Sequence, residues 1–144
     1  MRARDTDCII SSLKGAEGIM AGRKKIIVVD DNAINLTMCK DVLKPYYEVY
    51  PAPSAAKMFG LLGYFMPDLI LMDVEMPVMN GYEAVRRLKD DQAQKNIPII
   101  FLSGNTDKDD EQEGFALGAL DYIEKPFAAD SLLGRIKTRL PLGR

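Results

Sequence analysis

The chain has 144 residues, of which 47% are hydrophobic and 28% are charged, and its formal net charge is −2. These values are ordinary for one globular domain, and they exclude a strongly basic surface for nucleic acid and a long acidic tail. The sequence contains no histidine, which excludes Ser-His and Cys-His catalysis, histidine-ligated metals and service as a phosphohistidine carrier. Any chemistry must therefore use carboxylates, hydroxyls and amines.

The chain also lacks the marks of secretion or membrane insertion. Cys8 and Cys39 show neither metal-ligand nor redox spacing, so we expect reduced thiols in a cytoplasmic protein. No apolar run approaches the roughly 18 residues of a membrane span. Residues 1–23 have no sustained hydrophobic period, and we expect a flexible leader or linker there, followed by one domain over 24–141.

Five strand-like segments follow the leader. Three of them are continuous apolar runs with β-branched residues, as in strands that are buried on both faces: KKIIVVDD at 24–31, DLILMD at 68–73 and IPIIFLS at 97–103. Two weaker segments are YEVYPA at 47–52 and LDYIEK at 120–125.

Helical patterns occupy the intervals between these strands. Asn32, Ser54 and Asn80 are candidate N-caps, and a run of acids favours a helix start in 107–118. The apolar residues that repeat at helical spacing are Ile34, Met38 and Val42; Met58, Leu61, Leu62 and Phe65; Val85 and Leu88; and Leu132, Leu133, Ile136 and Leu140. This alternation predicts an α/β fold, in which a parallel sheet is covered by helices on both faces.

Polar side chains stand at the ends of four of the five predicted strands. They are Asp30 and Asp31 in the first, Asp73 in the third, Ser103 in the fourth and Lys125 in the fifth. The second strand carries Pro51 instead, which suits an edge strand. Ligands of such sheets bind outside the carboxyl ends of the strands, so we expect these groups to share one rim. Three carboxylates with a hydroxyl and an ammonium suit Mg²⁺ and phosphoryl transfer.

From about residue 24 to residue 140 the chain resembles a response-regulator receiver domain of two-component signalling. Four ordered segments carry the resemblance: IIVVDDN at 26–32, LILMDVEMPVMNG at 69–81, PIIFLSGN at 98–105 and GALDYIEKPF at 118–127. The resemblance implies a flavodoxin-like fold similar to that of the chemotaxis regulators. Its sheet would be doubly wound and parallel, with five strands in the order 2-1-3-4-5.

The resemblance also implies the chemistry of the rim. Asp73 would accept a phosphoryl group from a partner phosphohistidine, with Lys125 and Ser103 assisting. The ligands of Mg²⁺ would be Asp73, Asp31 directly, Asp30 through water, and the backbone carbonyl of Glu75. The peptide bond between Lys125 and Pro126 would be cis.

Ser103 and one further residue, Tyr122, would transmit the signal according to the same resemblance. Ser103 is the switch hydroxyl, and Tyr122 is the aromatic switch residue, which would turn inward as Ser103 moves toward the phosphate. A half-buried strand tyrosine with a packing role alone is the other interpretation of Tyr122. The switch would change the face at about 107–140, where a second copy or an effector would dock.

The resemblance leaves the setting of the domain open. Its phosphodonor would be a histidine kinase or a histidine phosphotransfer protein, and we expect no direct contact with nucleic acid or membrane. The chain is either a stand-alone regulator or a segment of a hybrid kinase or longer regulator.

Two other functions compete with the receiver. An aspartate-nucleophile phosphatase needs a second Asp two residues after the nucleophile, where this chain has Glu75. A flavodoxin-like cofactor binder needs a phosphate-binding loop rich in Ser, Thr and Gly after the first strand, whereas DDNAIN would repel phosphate without a metal. We therefore expect a signalling domain that phosphorylates and dephosphorylates itself, not a turnover enzyme.

Overall fold

The computed structural model describes residues 22–104 and 108–142, so nearly all of the predicted leader lies outside the described residues. Five strands alternate with five helices in the described part: β1 (Lys25–Val29), α1 (Ala33–Leu43), β2 (Glu48–Ala52), α2 (Ala55–Leu62), β3 (Leu69–Asp73), α3 (Gly81–Lys89), β4 (Ile99–Ser103), α4 (Lys108–Ala116), β5 (Asp121–Glu124) and α5 (Ala129–Arg139). None of these helices is long and apolar enough to cross a membrane.

The five strands form one parallel sheet in the order β2-β1-β3-β4-β5. This order confirms the predicted doubly wound, flavodoxin-like fold. β1 and β3 are neighbours, with Ile26 paired to Leu69 and Val29 paired to Met72. Pro51 lies in the edge strand β2 and is exposed, as expected for a residue that cannot donate a ladder hydrogen bond.

Helices cover both faces of the sheet because successive side chains of a strand point to opposite faces. Ile27 and Val29 of β1 belong to the core on one face, which includes buried residues of α2 and α3. Ile26 and Val28 belong to the core on the other face, which includes buried residues of α1 and α5. The strands are therefore held rigidly, and so are the residues at their ends.

The structure corrects one detail of the first helix. Helix α1 begins after Asn32 as predicted, but the residues that pack fully into the core are Cys39 and Leu43. Ile34, the first residue of the predicted stripe, is 78% exposed. The stripe that revealed the helix is offset by one position, about 100° around the helix axis, from the face that contacts the sheet.

Helix ends also differ slightly from the sequence pattern. Helix α2 ends at Leu62, and Phe65 packs against the core from the loop that follows. Helix α4 spans Lys108–Ala116, within the predicted 107–118. Ser54 and Asn80 cap α2 and α3 as predicted, and Asn80 forms a reciprocal capping box with Glu83.

Candidate functional site

The polar residues of the sequence pattern do lie along one edge of the sheet. Asp30 directly follows β1, Asp73 and Ser103 are the last residues of β3 and β4, and Lys125 directly follows β5. All five strands run in the same direction, so these positions are at the carboxyl ends of neighbouring strands. Asp73 pairs with Leu102 in the sheet, which puts Ser103 one residue beyond the neighbour of Asp73.

Three carboxylates converge at this edge. One oxygen each of Asp30, Asp31 and Asp73 lies within 4.8 Å of the other two. Asp30 and Asp73 are buried, whereas Asp31 is exposed. Closely spaced carboxylates repel one another, and a hard divalent cation with oxygen ligands relieves that repulsion. The donor set therefore fits Mg²⁺, with an open side toward solvent.

The turn that starts α1 also orients Asp30. The backbone N–H of Asn32 donates to one carboxylate oxygen of Asp30 at 2.9 Å, and the side-chain amide of Asn35 donates to the other at 3.3 Å. Asn32 in turn caps α1 by accepting from the backbone N–H groups of Ile34 and Asn35. Asn35 is a contributor that the sequence pattern did not identify, because one polar residue in the first turn of a helix carries no specific signal.

Lys125 joins the two buried carboxylates. Its Nζ lies 2.9 Å from Asp30 Oδ2 and 2.9 Å from Asp73 Oδ1. The ammonium thus supplies one positive charge to three negative ones. The peptide bond between Lys125 and Pro126 is cis, as the resemblance implied.

The carboxyl group of Asp73 is electrostatically unusual. The pKa of Asp73 is raised from its ordinary 3.8 to about 7. Burial is the main cause of this increase; the hydrogen bond from Lys125 opposes it, and the charge of Asp30 adds to it. Burial lowers the pKa of Lys125, but its hydrogen bonds to Asp73 and Asp30 outweigh burial, and the net pKa lies above the ordinary 10.5. The site therefore needs further positive charge, or a proton, to hold its carboxylates.

The loop between β3 and α3 folds back against the backbone of β3. The N–H of Gly81 donates to the carbonyl of Val74 at 2.9 Å. A Cβ atom at Gly81 would clash with the Asp73 carbonyl oxygen and lie 2.9 Å from Met72 Cγ. A residue with a side chain does not fit here, so glycine allows α3 to start directly beside Asp73. Met76 and Met79 of this loop are partly buried and pack against the core.

Ser103 makes a contact that the sequence pattern did not predict. Its hydroxyl donates to Glu75 Oε2 at 2.7 Å, and the N–H of Gly104 donates to Glu75 Oε1 at 3.2 Å. The resemblance implies a metal-ligand role for the backbone carbonyl of Glu75, whereas these hydrogen bonds are made by its side chain. The direction of an exposed carboxylate in a loop depends on the tertiary fold, and the sequence does not predict it.

Tyr122 lies inside the protein at only 7% exposure. Its hydroxyl oxygen is 3.1 Å from that of Tyr82, and its ring packs beside Phe101 and Phe115. We expected the ring to turn inward after phosphorylation, whereas here it is inward already. The switch role of Tyr122 stays a prediction. A ring that starts from this buried position has no inward turn left to make.

Tyr82 was absent from the predicted site. It stands second in α3, and its hydroxyl donates to the carbonyl of Asp110 in α4 at 2.5 Å. Burial, and then its hydroxyl contact with Tyr122, raise the pKa of Tyr82 above its ordinary value. Tyr82 stands one helical turn before Val85, and both residues belong to the buried face of α3. This spacing is the sequence signal that could have identified Tyr82.

Comparisons with known proteins identify the family of this chain. The sequence model of the response regulator receiver domain matches residues 26–137. A probable cyclic di-GMP phosphodiesterase of Vibrio cholerae serotype O1 is 38% identical over 115 residues, which are 80% of this chain and 26% of that protein. The polar-differentiation response regulator DivK of Brucella ovis is 32% identical over 118 residues, which are 81% of this chain and 96% of DivK.

The fold is shared with solved structures as well. The high-resolution structure of the chemotaxis response regulator CheY4 of Vibrio cholerae superposes with a TM-score of 0.76 at 33% identity, covering 82% of this chain and 99% of that one. The chain thus spans about a quarter of the phosphodiesterase and nearly all of DivK and CheY4.

Proposed function

Because the chain belongs to the response regulator receiver domain family of two-component signalling, we propose that Asp73 is its phosphoacceptor. The observation that carries this assignment is the convergence of Asp30, Asp31 and Asp73 within 4.8 Å. Lys125 Nζ lies at 2.9 Å from two of the three carboxylates. The proposed acceptor, the proposed metal ligands and the ammonium group thus lie at one edge of the sheet.

Phosphoryl transfer to Asp73 is a displacement at phosphorus. One carboxylate oxygen of Asp73 forms a bond with phosphorus while the P–N bond to the imidazole of the donor breaks, and the imidazole leaves with that electron pair. Asp73 ends β3, whose neighbours on both sides are fixed in register, so its carboxylate is held in place for the attack.

The other residues stabilise the phosphoryl group. The proposed ligands of Mg²⁺ are Asp30, Asp31, Asp73 and the backbone carbonyl of Glu75, and the bound ion would neutralise charge on the phosphoryl oxygens. Lys125 can transfer hydrogen bonds from the carboxylates to a phosphoryl oxygen, since its ammonium has three donors. The Ser103 hydroxyl can donate to another oxygen.

We further propose that this chain is not a turnover enzyme. A phosphatase with an aspartate nucleophile needs a general acid that faces the leaving group. Glu75 stands at that position, but its carboxylate accepts hydrogen bonds from Ser103 and Gly104. The family relationship likewise does not favour the phosphatase. The phosphodiesterase name belongs to a protein of which this chain matches about a quarter.

The partners follow from the chemistry of the acceptor. We propose a histidine kinase or histidine phosphotransfer protein as the donor, and an effector or second copy at the face of about 107–140. We propose a cytoplasmic location, where a buried free thiol such as Cys39 is ordinary.

The test is labelling by acetyl phosphate and Mg²⁺, followed by intact mass and hydroxylamine treatment. The parent should gain one phosphoryl group that hydroxylamine removes, as an acyl phosphate requires. Asp73→Asn should gain none. Asp68→Asn is the matched control, because Asp68 is a carboxylate at the opposite end of β3 that accepts from the N–H of Lys25; it should label normally. Label on Asp73→Asn would refute the assignment.

A second measurement separates the receiver from the enzyme. Incubation with an excess of a small phosphomonoester should release no more than trace phosphate per chain over many phosphoryl lifetimes. Sustained multiple turnover that Asp73→Asn abolishes would establish the phosphatase instead.

A further inference from the structure

The carboxylate of Glu75 links the β3–α3 loop to the end of β4. The N–H of Val74 donates to the carbonyl of Leu102 at 3.0 Å, so the chain is still hydrogen-bonded to β4 at the residue before Glu75. Both oxygens of Glu75 then receive hydrogen bonds from the end of β4. Oε2 accepts from the Ser103 hydroxyl at 2.7 Å and Oε1 accepts from the Gly104 N–H at 3.2 Å.

The two donors at the end of β4 have limited capacity. A serine hydroxyl and a backbone amide each carry one hydrogen. While Ser103 donates to Glu75, its hydroxyl cannot donate to a phosphoryl oxygen on Asp73. The same holds for the N–H of Gly104, which follows Ser103 directly. An acceptor on Glu75 and an acceptor on a phosphorylated Asp73 therefore compete for the same protons.

We propose that the Glu75 carboxylate is a built-in competitor of the phosphoryl group, and that it must release Ser103 and Gly104 before these donors can bind phosphoryl oxygens. This inference rests on the proposed function, because it takes Asp73 as the acceptor. In the unphosphorylated chain the contact holds the switch hydroxyl of Ser103 on the loop side. Phosphorylation replaces one anionic acceptor with another.

Charge strengthens the competition. A phosphoryl group brings further negative charge beside the Glu75 carboxylate, and like charges at short range repel. Glu75 is exposed, so its carboxylate can move into solvent once the donors are lost. The phosphorylated form thus gains two donors only by giving up two existing hydrogen bonds, which weakens it relative to a chain without the carboxylate.

The first experiment measures the binding of beryllofluoride with Mg²⁺ as a phosphoryl mimic. Glu75→Ala keeps the backbone carbonyl and should bind the mimic about tenfold more tightly than the parent, a factor of ten corresponding to about 1.4 kcal/mol. Glu75→Gln, which keeps one oxygen acceptor without the charge, should be intermediate. Glu113→Ala removes a carboxylate that pairs with Arg86 in the cleft beside the loop, and it should stay within about twofold of the parent.

A double-mutant cycle distinguishes competition from charge alone. In a Ser103→Ala background, Glu75→Ala should improve binding much less, by about threefold, because only the Gly104 donor remains to be released. An undiminished tenfold gain in that background, or an equal gain from Glu113→Ala, would overturn the proposal and leave general electrostatics as the cause.

A readout without any phosphoryl group keeps this inference separate from the proposed function. In metal-free protein, Glu75→Ala should shift the Gly104 amide resonance and speed its hydrogen exchange, whereas Glu113→Ala should not. An unaffected Gly104 amide would overturn the contact itself. Failure of the parent to bind beryllofluoride, with Gly104 responding as expected, would instead overturn the role of Asp73 and the competition that depends on it.

Discussion

Tyr82 and Tyr122 share a hydrogen bond of 3.1 Å between their hydroxyl oxygens, and this bond joins α3 to β5. Tyr82 donates at the same time to the carbonyl of Asp110, so one hydroxyl group links three elements. Tyr82 also directly follows Gly81, which packs on the backbone of Asp73. The tyrosine pair therefore connects the β3–α3 loop with the start of α4.

Tyr82→Phe should loosen Tyr122 while leaving the core packed. The substitution removes one hydroxyl and keeps the ring, which lies edge-on to Phe101 at 5.0 Å between centroids. We expect the free energy of unfolding to fall by about 1 kcal/mol, because a partly buried hydrogen-bonded group loses its partner. Urea unfolding measures the loss, and the ring resonances of Tyr122 should broaden or shift.

The control for this prediction is Tyr50→Phe, which removes a hydroxyl that donates to Glu48 at 2.8 Å near the other edge of the sheet. It should leave the Tyr122 signals unchanged. In a Tyr122→Phe background, Tyr82→Phe should cost less than in the parent, since the shared bond is already absent. Full additivity would mean that the two hydroxyls do not interact in solution.

Magnesium should stabilise the protein against thermal unfolding. The ion would neutralise Asp30, Asp31 and Asp73, of which two are buried. By mass action we expect the free energy of unfolding to rise by about 1–3 kcal/mol at roughly 10–100 times the Kd. Melting curves at matched ionic strength measure the gain. Asp31→Asn should reduce the gain and Asp68→Asn should not; an unchanged midpoint in the parent would contradict the metal site.

Metal-free protein should lose stability as pH rises from about 4 to about 7. Burial raises the pKa of Asp73 to about 7 in the folded chain, against an ordinary 3.8. Between these values the folded chain holds a proton that the unfolded chain has lost, so the free energy of unfolding falls with rising pH. Above about 7 both states are ionised, and this contribution no longer changes.

Urea unfolding in the presence of a chelator tests that pH dependence, from about pH 5 to about pH 8.5. The informative quantity is the difference between the parent and Asp73→Asn, since other groups contribute equally to both. The variant should lack the downward slope below about pH 7. The same slope in both proteins would assign the effect to other residues.

The fold could be predicted from the sequence because three strands, β1, β3 and β4, are continuous apolar runs that end at a polar residue. The face of α1 could not be predicted in the same way. Ile34 and Leu43 are both apolar, and only the packing of the helix on the sheet decides which is buried. An exposed isoleucine is common on protein surfaces, so composition alone gives no warning.

The carboxylate cluster could also be predicted, because strand direction alone brings Asp30 and Asp73 to one edge. The partners of Ser103 and Tyr122 could not. Glu75 and Tyr82 reach them through side-chain directions, which depend on how the β3–α3 loop folds back. Sequence spacing places a residue on a loop or a helix, but it does not give the rotamer that completes a hydrogen bond.

Gly81→Ala should reduce both the stability of the protein and its Mg²⁺ binding, and it tests whether the β3–α3 loop depends on close packing. A Cβ at this position would clash with the Asp73 carbonyl oxygen and crowd Met72 Cγ at 2.9 Å. We expect the free energy of unfolding to fall by about 1–3 kcal/mol, which is the usual cost of overpacking a core. The affinity for Mg²⁺ should fall as well, because α3 must move away from Asp73.

Gly60→Ala is the matched control, since a Cβ at this position of α2 meets nothing within 4 Å. It should raise the free energy of unfolding by about 0.5–1 kcal/mol and leave Mg²⁺ binding unchanged. Equal behaviour of the two variants in urea unfolding and metal titration would contradict the packing of this loop.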